Sequence, residues 1–192
     1  MNDADKSLML FLNFDGGSVM DSVMWFASGI ASWIPLYLVI LFIIYRTYGW
    51  KYMLFALLFI GLGIGICDQV CNYFKRTIEY LRPTHTESLL PFLHTVREYH
   101  GGLTGTVSGH ASTSMCICLF TSLVVRKRWF SIMMLAYTLI ISYSRIYLGV
   151  HYPFQILFGW TLGLIVAPVM WLIFRNLNKR YHWDNTPSAQ QA

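Results

Sequence analysis

In the stretch Ser144-Arg-Ile-Tyr-Leu-Gly-Val-His-Tyr-Pro-Phe-Gln155, a permanent cation and a titratable ring stand six residues apart between two long uncharged runs. In one continuous helix Arg145 and His151 would point about 120° apart and could not serve one ligand. Gly149 and Pro153 predict that the helix does not continue: glycine suits a C-terminal stop, and proline the first turn of a new helix. Arg145 then ends one element and His151 begins the next. Gln155 follows His151 by four residues, one helical turn, so its amide can reach the imidazole.

Two further stretches carry related residue types. Lys75 and Arg82 are seven residues apart, two turns along one face of a helix that Pro83 would stop. Taken alone, they read more readily as interfacial cations reaching toward headgroups. Thr106 to Ser112, TVSGHAS, precedes an apolar run. Ser108 suits an N-cap, Gly109 lets a ligand approach the backbone, and His110 falls in the first turn. Alone, this is also an ordinary capped helix with an interfacial histidine. Together, three cations, a helix N-terminus and two histidines describe an oxyanion pocket with groups for phosphoryl transfer. One histidine would attack phosphorus, and the other would protonate the departing oxygen.

The elements that must position these residues are apolar helices. Of 192 residues, 56% are hydrophobic and 12% charged, about half the charge of a soluble domain. No Asp, Glu, Lys or Arg occurs at 22–45, 52–67, 111–125, 129–144 or 146–174. We read an all-α membrane bundle with five spans, at about 24–46, 51–75, 109–126, 129–146 and 152–175, since a spanning helix needs ~20 residues. The net charge of +5 is not a nucleic-acid footprint. Arg46, Lys51, Arg126, Lys127, Arg128, Arg175, Lys179 and Arg180, eight of the fourteen basic residues, fall on one face if the spans alternate. The positive-inside rule makes that face cytoplasmic. The three polar clusters fall on the opposite, outer face.

The N-terminus carries Asp3, Asp5, Asp15 and Asp21 against Lys6, so it reads as outer and not as a secretory signal. Ser7 to Phe14 is expected to be an interfacial helix, with a sixth span if it inserts. Residues 1–183 read as one membrane-embedded domain and 184–192 as a flexible polar tail. Cys67, Cys71, Cys116 and Cys118 all lie in expected spans at spacings that match no redox or zinc motif. They read as small buried apolar side chains.

These residues resemble the type 2 phosphatidic acid phosphatase family, integral-membrane lipid phosphate phosphatases with the motifs K-x6-R-P, P-S-G-H and S-R-x5-H-x3-D. The chain has Lys75 to Arg82-Pro83, Val107-Ser108-Gly109-His110, and Ser144-Arg145 to His151. The resemblance covers roughly residues 50–175, and the compact chain looks like small bacterial members. It implies that Lys75, Arg82, Arg145, the Ser108 hydroxyl and the Gly109 N–H bind phosphate oxygens. It implies a phosphohistidine at His151, His110 as general acid, and no cofactor or metal. Two positions depart from the pattern. Val107 replaces a proline. Gln155 replaces the aspartate that would orient and polarise His151. An amide at that position can hold the ring but supplies no negative charge, and a comparable exchange in a serine-protease triad costs ~10⁴ in rate. No acidic residue close in sequence substitutes for it.

The expected substrate is a membrane lipid phosphate or diphosphate: undecaprenyl diphosphate, phosphatidylglycerol phosphate, phosphatidic acid or a lipid A phosphate. The expected location is a bacterial cytoplasmic membrane, with the site on the periplasmic face. The segment 84–106, with Pro91, Arg97, Tyr99, His100, Gly101 and Gly102, could form a lid. His94 and His100 read as surface residues. Two other classes stay open. An inactive relative that binds phospholipid headgroups is supported by Gln155. A transporter or channel lacks acidic residues in the spans apart from Asp68 and shows no repeats.

Overall fold

The structure, a computed structural model, describes residues 3–184. Within them the secondary structure is helical, apart from one isolated bridge between Leu81 and Thr104. The helices are α1 (Asp3–Leu12), α2 (Gly17–Ser28), α3 (Ile34–Tyr48), α4 (Trp50–Ile78), α5 (Gly109–Val125), α6 (Arg128–Tyr147) and α7 (Pro153–Tyr181). Four stretches are long and apolar enough to cross a membrane: Ala31–Tyr48, which joins a short 3-10 turn to α3, and α4, α6 and α7. The chain is a multi-pass membrane protein. Helix α5, a shorter apolar helix, completes the bundle with 17 residues, about 26 Å. That is short of the ~30 Å hydrocarbon core.

Three expectations need correction. The first span does not run from 24: α2 ends at Ser28, Gly29 follows, and the crossing begins at Ala31. The expected interfacial helix at 7–14 is instead a pair, α1 and α2, with 10 and 12 residues, both too short to cross a bilayer. Arg82 does not share a helix with Lys75. Helix α4 ends at Ile78, Glu79 takes left-handed dihedrals, and Arg82 is extended. Pro83 disfavours helical geometry at Arg82. The main chain there pairs across the 80–105 segment, with Gly105 N–H on Tyr80 O (2.8 Å) and Arg82 N–H on Leu103 O (3.1 Å). The expected tail lies outside the described residues except for Asp184.

The contact between α5 and α7 sets the distance between two of the three motifs. Gly159 and Gly163 of α7 face α5 so closely that an added Cβ would lie 2.7 Å from Ser108 O and 2.6 Å from Ser112 O. This small-residue pair allows near backbone contact, the usual device of membrane helices. Below it, Phe120, Phe130, Phe174, Ile44 and Met134 fill the core. The four cysteines are buried and free, and Cys67, Cys116 and Cys118 belong to this core.

At the opposite end from the basic residues, α1 and α2 cover the ends of α6 and α7. Asn13 Nδ2 donates to the carbonyls of Tyr147 (2.6 Å) and Ile146 (3.2 Å) at the end of α6, where carbonyls run out of helical partners. Its Oδ1 accepts the His94 N–H at 2.8 Å, tying down the long connection. Tyr147 donates its hydroxyl to Asp21 at 2.6 Å, and His94 Nε2 lies 2.8 Å from the same oxygen. The Tyr147 bond, together with His94, holds the Asp21 carboxyl below the usual range. His94 is thus a structural strut, while His100 is exposed.

Candidate active site

The α6–α7 break is the first element of the site. Gly149 has φ +74, a left-handed conformation that disfavours side chains. A Cβ there would also lie 2.6 Å from Leu93. The turn brings His151 N–H back to Arg145 O at 3.2 Å. Arg145 and His151, 120° apart in a continuous helix, both line one cavity of about 540 Å³.

Gln155 holds the ring of His151. Its Oε1 lies 2.8 Å from His151 Nδ1 and 3.3 Å from Tyr152 N. The main-chain N–H can only donate, so the amide atom facing it is the oxygen. That oxygen can only accept, so Nδ1 carries the proton and the neutral ring has its lone pair on Nε2. Burial, then the charges of Arg82 and Arg145, hold the His151 pKa well below the ordinary histidine value. A neutral imidazole with a free Nε2 is the nucleophilic form.

The same cavity is lined by Lys75, Arg82, Gly109, His110 and Tyr99. Lys75 Nζ sits 3.9 Å from where a Cβ on Gly109 would be, so its ammonium faces the bare first turn of α5. Ser108 is the N-cap, and its Oγ accepts the Ala111 N–H at 3.4 Å. Ser108 and Gln155 are both fully buried behind the wall of the cavity, whereas the other predicted site residues line it. Ser28, at the end of α2, lies beside His110 on the wall of a small neighbouring cavity.

Arg82 is held by carbonyls: Nε donates to Thr104 O at 3.0 Å, and its NH1 group lies 3.5 Å from Val150 O. Gly105 lets this loop close. A Cβ there would lie 3.0 Å from Arg82 Cγ and 3.4 Å from His151 Cε1. Arg145 is buried, donates to Tyr99 Oη at 3.3 Å, and leaves Nε without a partner. Among the described residues, no carboxylate lies within 4.0 Å of Lys75, Arg82 or Arg145. Asp68 is on the cavity wall, but its carboxylate accepts from Asn72 at 2.9 Å. Three cations without close counter-ions make a site for an anion. Most of the remaining wall is apolar, with Ile40, Leu57, Ile60, Ile64 and Ile117 from α3, α4 and α5, beside Tyr37 and Thr113.

Two contributors were not singled out in the sequence. Tyr99 was named only as part of a lid. It packs edge-on against Trp25 of α2 (5.5 Å) and lies under the Arg145 guanidinium (5.7 Å). The Gly159/Gly163 pair was missed, although Gly-x-x-x-Gly in an apolar run is a packing signal.

The family model described as "PAP2 superfamily" matches residues 51–179. The lipid A 4'-phosphatase of Bacteroides thetaiotaomicron is 33% identical over 194 residues, covering 100% of this chain and 86% of the relative. That of Porphyromonas gingivalis is 28% identical over 191 residues, covering 99% and 81%. An undecaprenyl-diphosphatase of Sulfolobus acidocaldarius matches a shorter region, 59 residues at 41% identity, covering 29% of this chain and 27% of the relative. The crystal structure of a transmembrane PAP2-type phosphatidylglycerolphosphate phosphatase from Bacillus subtilis superposes with a TM-score of 0.66 at 19% identity. It covers 93% of this chain and 86% of that one, and shares the fold.

Proposed function

The chain belongs to the PAP2 superfamily, and we propose that it is a membrane lipid phosphatase whose substrate is a phosphate monoester on a lipid A-type glycolipid. The observation that carries this reading is the cavity itself. Lys75, Arg82 and Arg145, with no carboxylate in contact, share it with two histidines and an apolar wall. It suits a phosphate head joined to a tail that stays in the bilayer. The full-length relatives, both lipid A 4'-phosphatases, narrow the lipid class.

In this mechanism the cations and the Gly109 N–H hold the phosphate oxygens. The Ser108 hydroxyl caps and shapes the turn that presents Gly109. His151 Nε2 attacks phosphorus, and the phosphorus–oxygen bond to the lipid breaks. His110 gives its proton to the departing oxygen. Water then attacks the phosphohistidine. His110 takes the water proton, the phosphorus–nitrogen bond breaks, and inorganic phosphate leaves. The cations supply the charge neutralisation throughout, so no metal or other cofactor is required. By the distribution of basic residues, the site faces the periplasm of a bacterial cytoplasmic membrane.

The test is phosphate release by purified protein in detergent with a chelator present. The panel is lipid A bisphosphate, undecaprenyl diphosphate, phosphatidylglycerol phosphate and phosphatidic acid. The reading expects lipid A to lose its 4'-phosphate fastest and an acid-labile, base-stable phosphoprotein that disappears in His151→Ala. Turnover only after magnesium or zinc is restored would overturn the mechanism. Preference for a diacylglycerol phosphate would overturn the substrate class.

A further inference from the structure

One ionisable side chain on the cavity wall has no part in the mechanism above. Asp68 belongs to α4, inside a 29-residue stretch apolar enough to cross the membrane, and it lines the cavity. A carboxylate within a span is costly, and where it faces a cavity it marks a polar task. Asp68 is exposed. Its Oδ2 accepts from Asn72 Nδ2 at 2.9 Å. Among the described residues it makes no other side-chain hydrogen bond, and no lysine or arginine lies within 4.0 Å of it. A neutral amide at 68 would satisfy Asn72 equally well, so that bond does not account for the charge. The second carboxylate oxygen is an open acceptor.

The place of Asp68 along the cavity says what it meets. Leu57, Ile64, Asp68 and Lys75 all line the cavity, and their spacing puts them within about 40° around the axis of α4. The cavity is therefore a slot along one helix face, running ~27 Å from Lys75 to Leu57. Asp68 stands ~10 Å along it from Lys75, close enough for their charges to interact. Beyond Asp68 this face carries only Ile64, Ile60 and Leu57 to the slot. A lipid with its phosphate on Lys75 and a chain along the slot passes Asp68 where headgroup gives way to hydrocarbon. A carboxylate there can bind only a hydrogen-bond donor. A lipid A-type glycolipid has one at that point, the amide N–H that joins an acyl chain to the sugar. A diacylglycerol phosphate has only ester oxygens, which are acceptors. We propose that Asp68 is a specificity-determining residue whose carboxylate accepts the amide N–H at the root of a substrate acyl chain. This inference rests on the lipid A reading and adds the contact that selects for it. A site built around a donor rejects the analogue that lacks one, because the carboxylate is then covered by lipid and left unpaired.

The test uses two synthetic sugar 4-phosphates in detergent micelles, with the same acyl chain joined at C2 by an amide in one and an ester in the other. The probes differ by N–H against O. Wild-type kcat/KM should favour the amide probe by about tenfold or more, the range for a hydrogen bond to a charged group. Asp68→Leu, which has no acceptor, should erase that preference by slowing the amide probe, with the ester probe held or improved. Asp68→Asn keeps a neutral acceptor and should retain part of the preference. If Asp68 acted only through the charge of Lys75, both substitutions would change both probes alike. If it were only structural, both probes would fall together with the thermal unfolding temperature, followed in parallel. Equal wild-type rates on the two probes, or equal losses in Asp68→Leu, would overturn the proposal. Should Asp68→Leu not fold, the wild-type comparison and Asp68→Asn decide it. Lipid A bisphosphate and phosphatidic acid separate the two claims. If wild type prefers phosphatidic acid, the lipid A reading falls and this inference with it. If it prefers lipid A but treats the amide and ester probes alike, only this inference falls.

Discussion

The main-chain carbonyl of Gln155 accepts the N–H of Ser108 at 3.1 Å. The residue that holds the His151 ring through its side chain therefore also anchors the N-cap of α5 through its backbone. Two motifs about 45 residues apart are joined at one position. Substitutions at 155 change the side chain and leave this link in place, so they test its two side-chain contacts, with the His151 ring and the Tyr152 N–H.

Gln155→Asp or Gln155→Glu should raise turnover by roughly tenfold if the carboxylate stabilises the cationic ring by one pKa unit. Gln155→Ala should lower it by freeing the ring. The pH profile gives a second readout. The His151 pKa lies well below the ordinary value, so protonation limits activity only at acidic pH. A carboxylate at 155 favours the protonated ring, so the acid limb of kcat/KM should move to higher pH. The substrate's own ionisation is common to all variants and cancels from the comparison. Unchanged turnover in all three variants would remove Gln155 from the mechanism.

His110 is separable from His151 by leaving group. His110→Ala should slow release of phosphate from a lipid alcohol by about 10²–10⁴. With an aryl phosphate, whose phenolate departs without a proton, the loss should be far smaller. Equal losses on both substrates would assign His110 to binding.

Arg145→Lys keeps the charge but loses the planar fork. It should reduce kcat/KM by about 1.5–3 kcal/mol, roughly 10- to 150-fold. Tyr99→Phe, which keeps the ring under the guanidinium and removes only the hydroxyl, should cost about 1 kcal/mol, or roughly fivefold. Kinetics on the purified variants check both. A fully active Arg145→Lys would show that charge alone suffices.

Gly159→Ala should destabilise the protein by about 1–3 kcal/mol, because its Cβ would meet Ser108 O at 2.7 Å. Thermal unfolding in detergent measures the loss. Turnover should fall as well, since the same contact sets the α5 N-terminus against His151. A neutral effect on both would mean that α5 and α7 are free to separate.

The proposed orientation rests on the basic residues. A cysteine at position 90, an exposed leucine in the 81–108 connection, should react with an impermeant thiol reagent from outside intact cells. One at 127, between α5 and α6, should react only after permeabilisation. The four native cysteines are buried. The reverse labelling pattern would place the site in the cytoplasm.

Much was legible from local order alone. Uncharged runs marked the helical bundle, because a bilayer excludes charge over a length that sequence displays directly. The Gly149 and Pro153 signals marked the break between Arg145 and His151, because backbone restrictions belong to single residues. The four-residue spacing put Gln155 within reach of His151, because one helical turn is a local rule. What the spacing rules could not supply came from contacts between distant segments. Arg82 left the helix of Lys75 because residues 80–82 pair with 103–105, and no periodicity records that partner. The first span began at Ala31 because Met24 and Ala27 of α2 are buried at the site end. Tyr99 joined Arg145, and Asp5 joined the first turn of α7 from 149 residues away. Those placements depend on how closely Gly159 and Gly163 let α7 approach α5, and on which helix ends α1 and α2 cover. Packing in three dimensions decides such contacts, and distance along the chain carries no information about them.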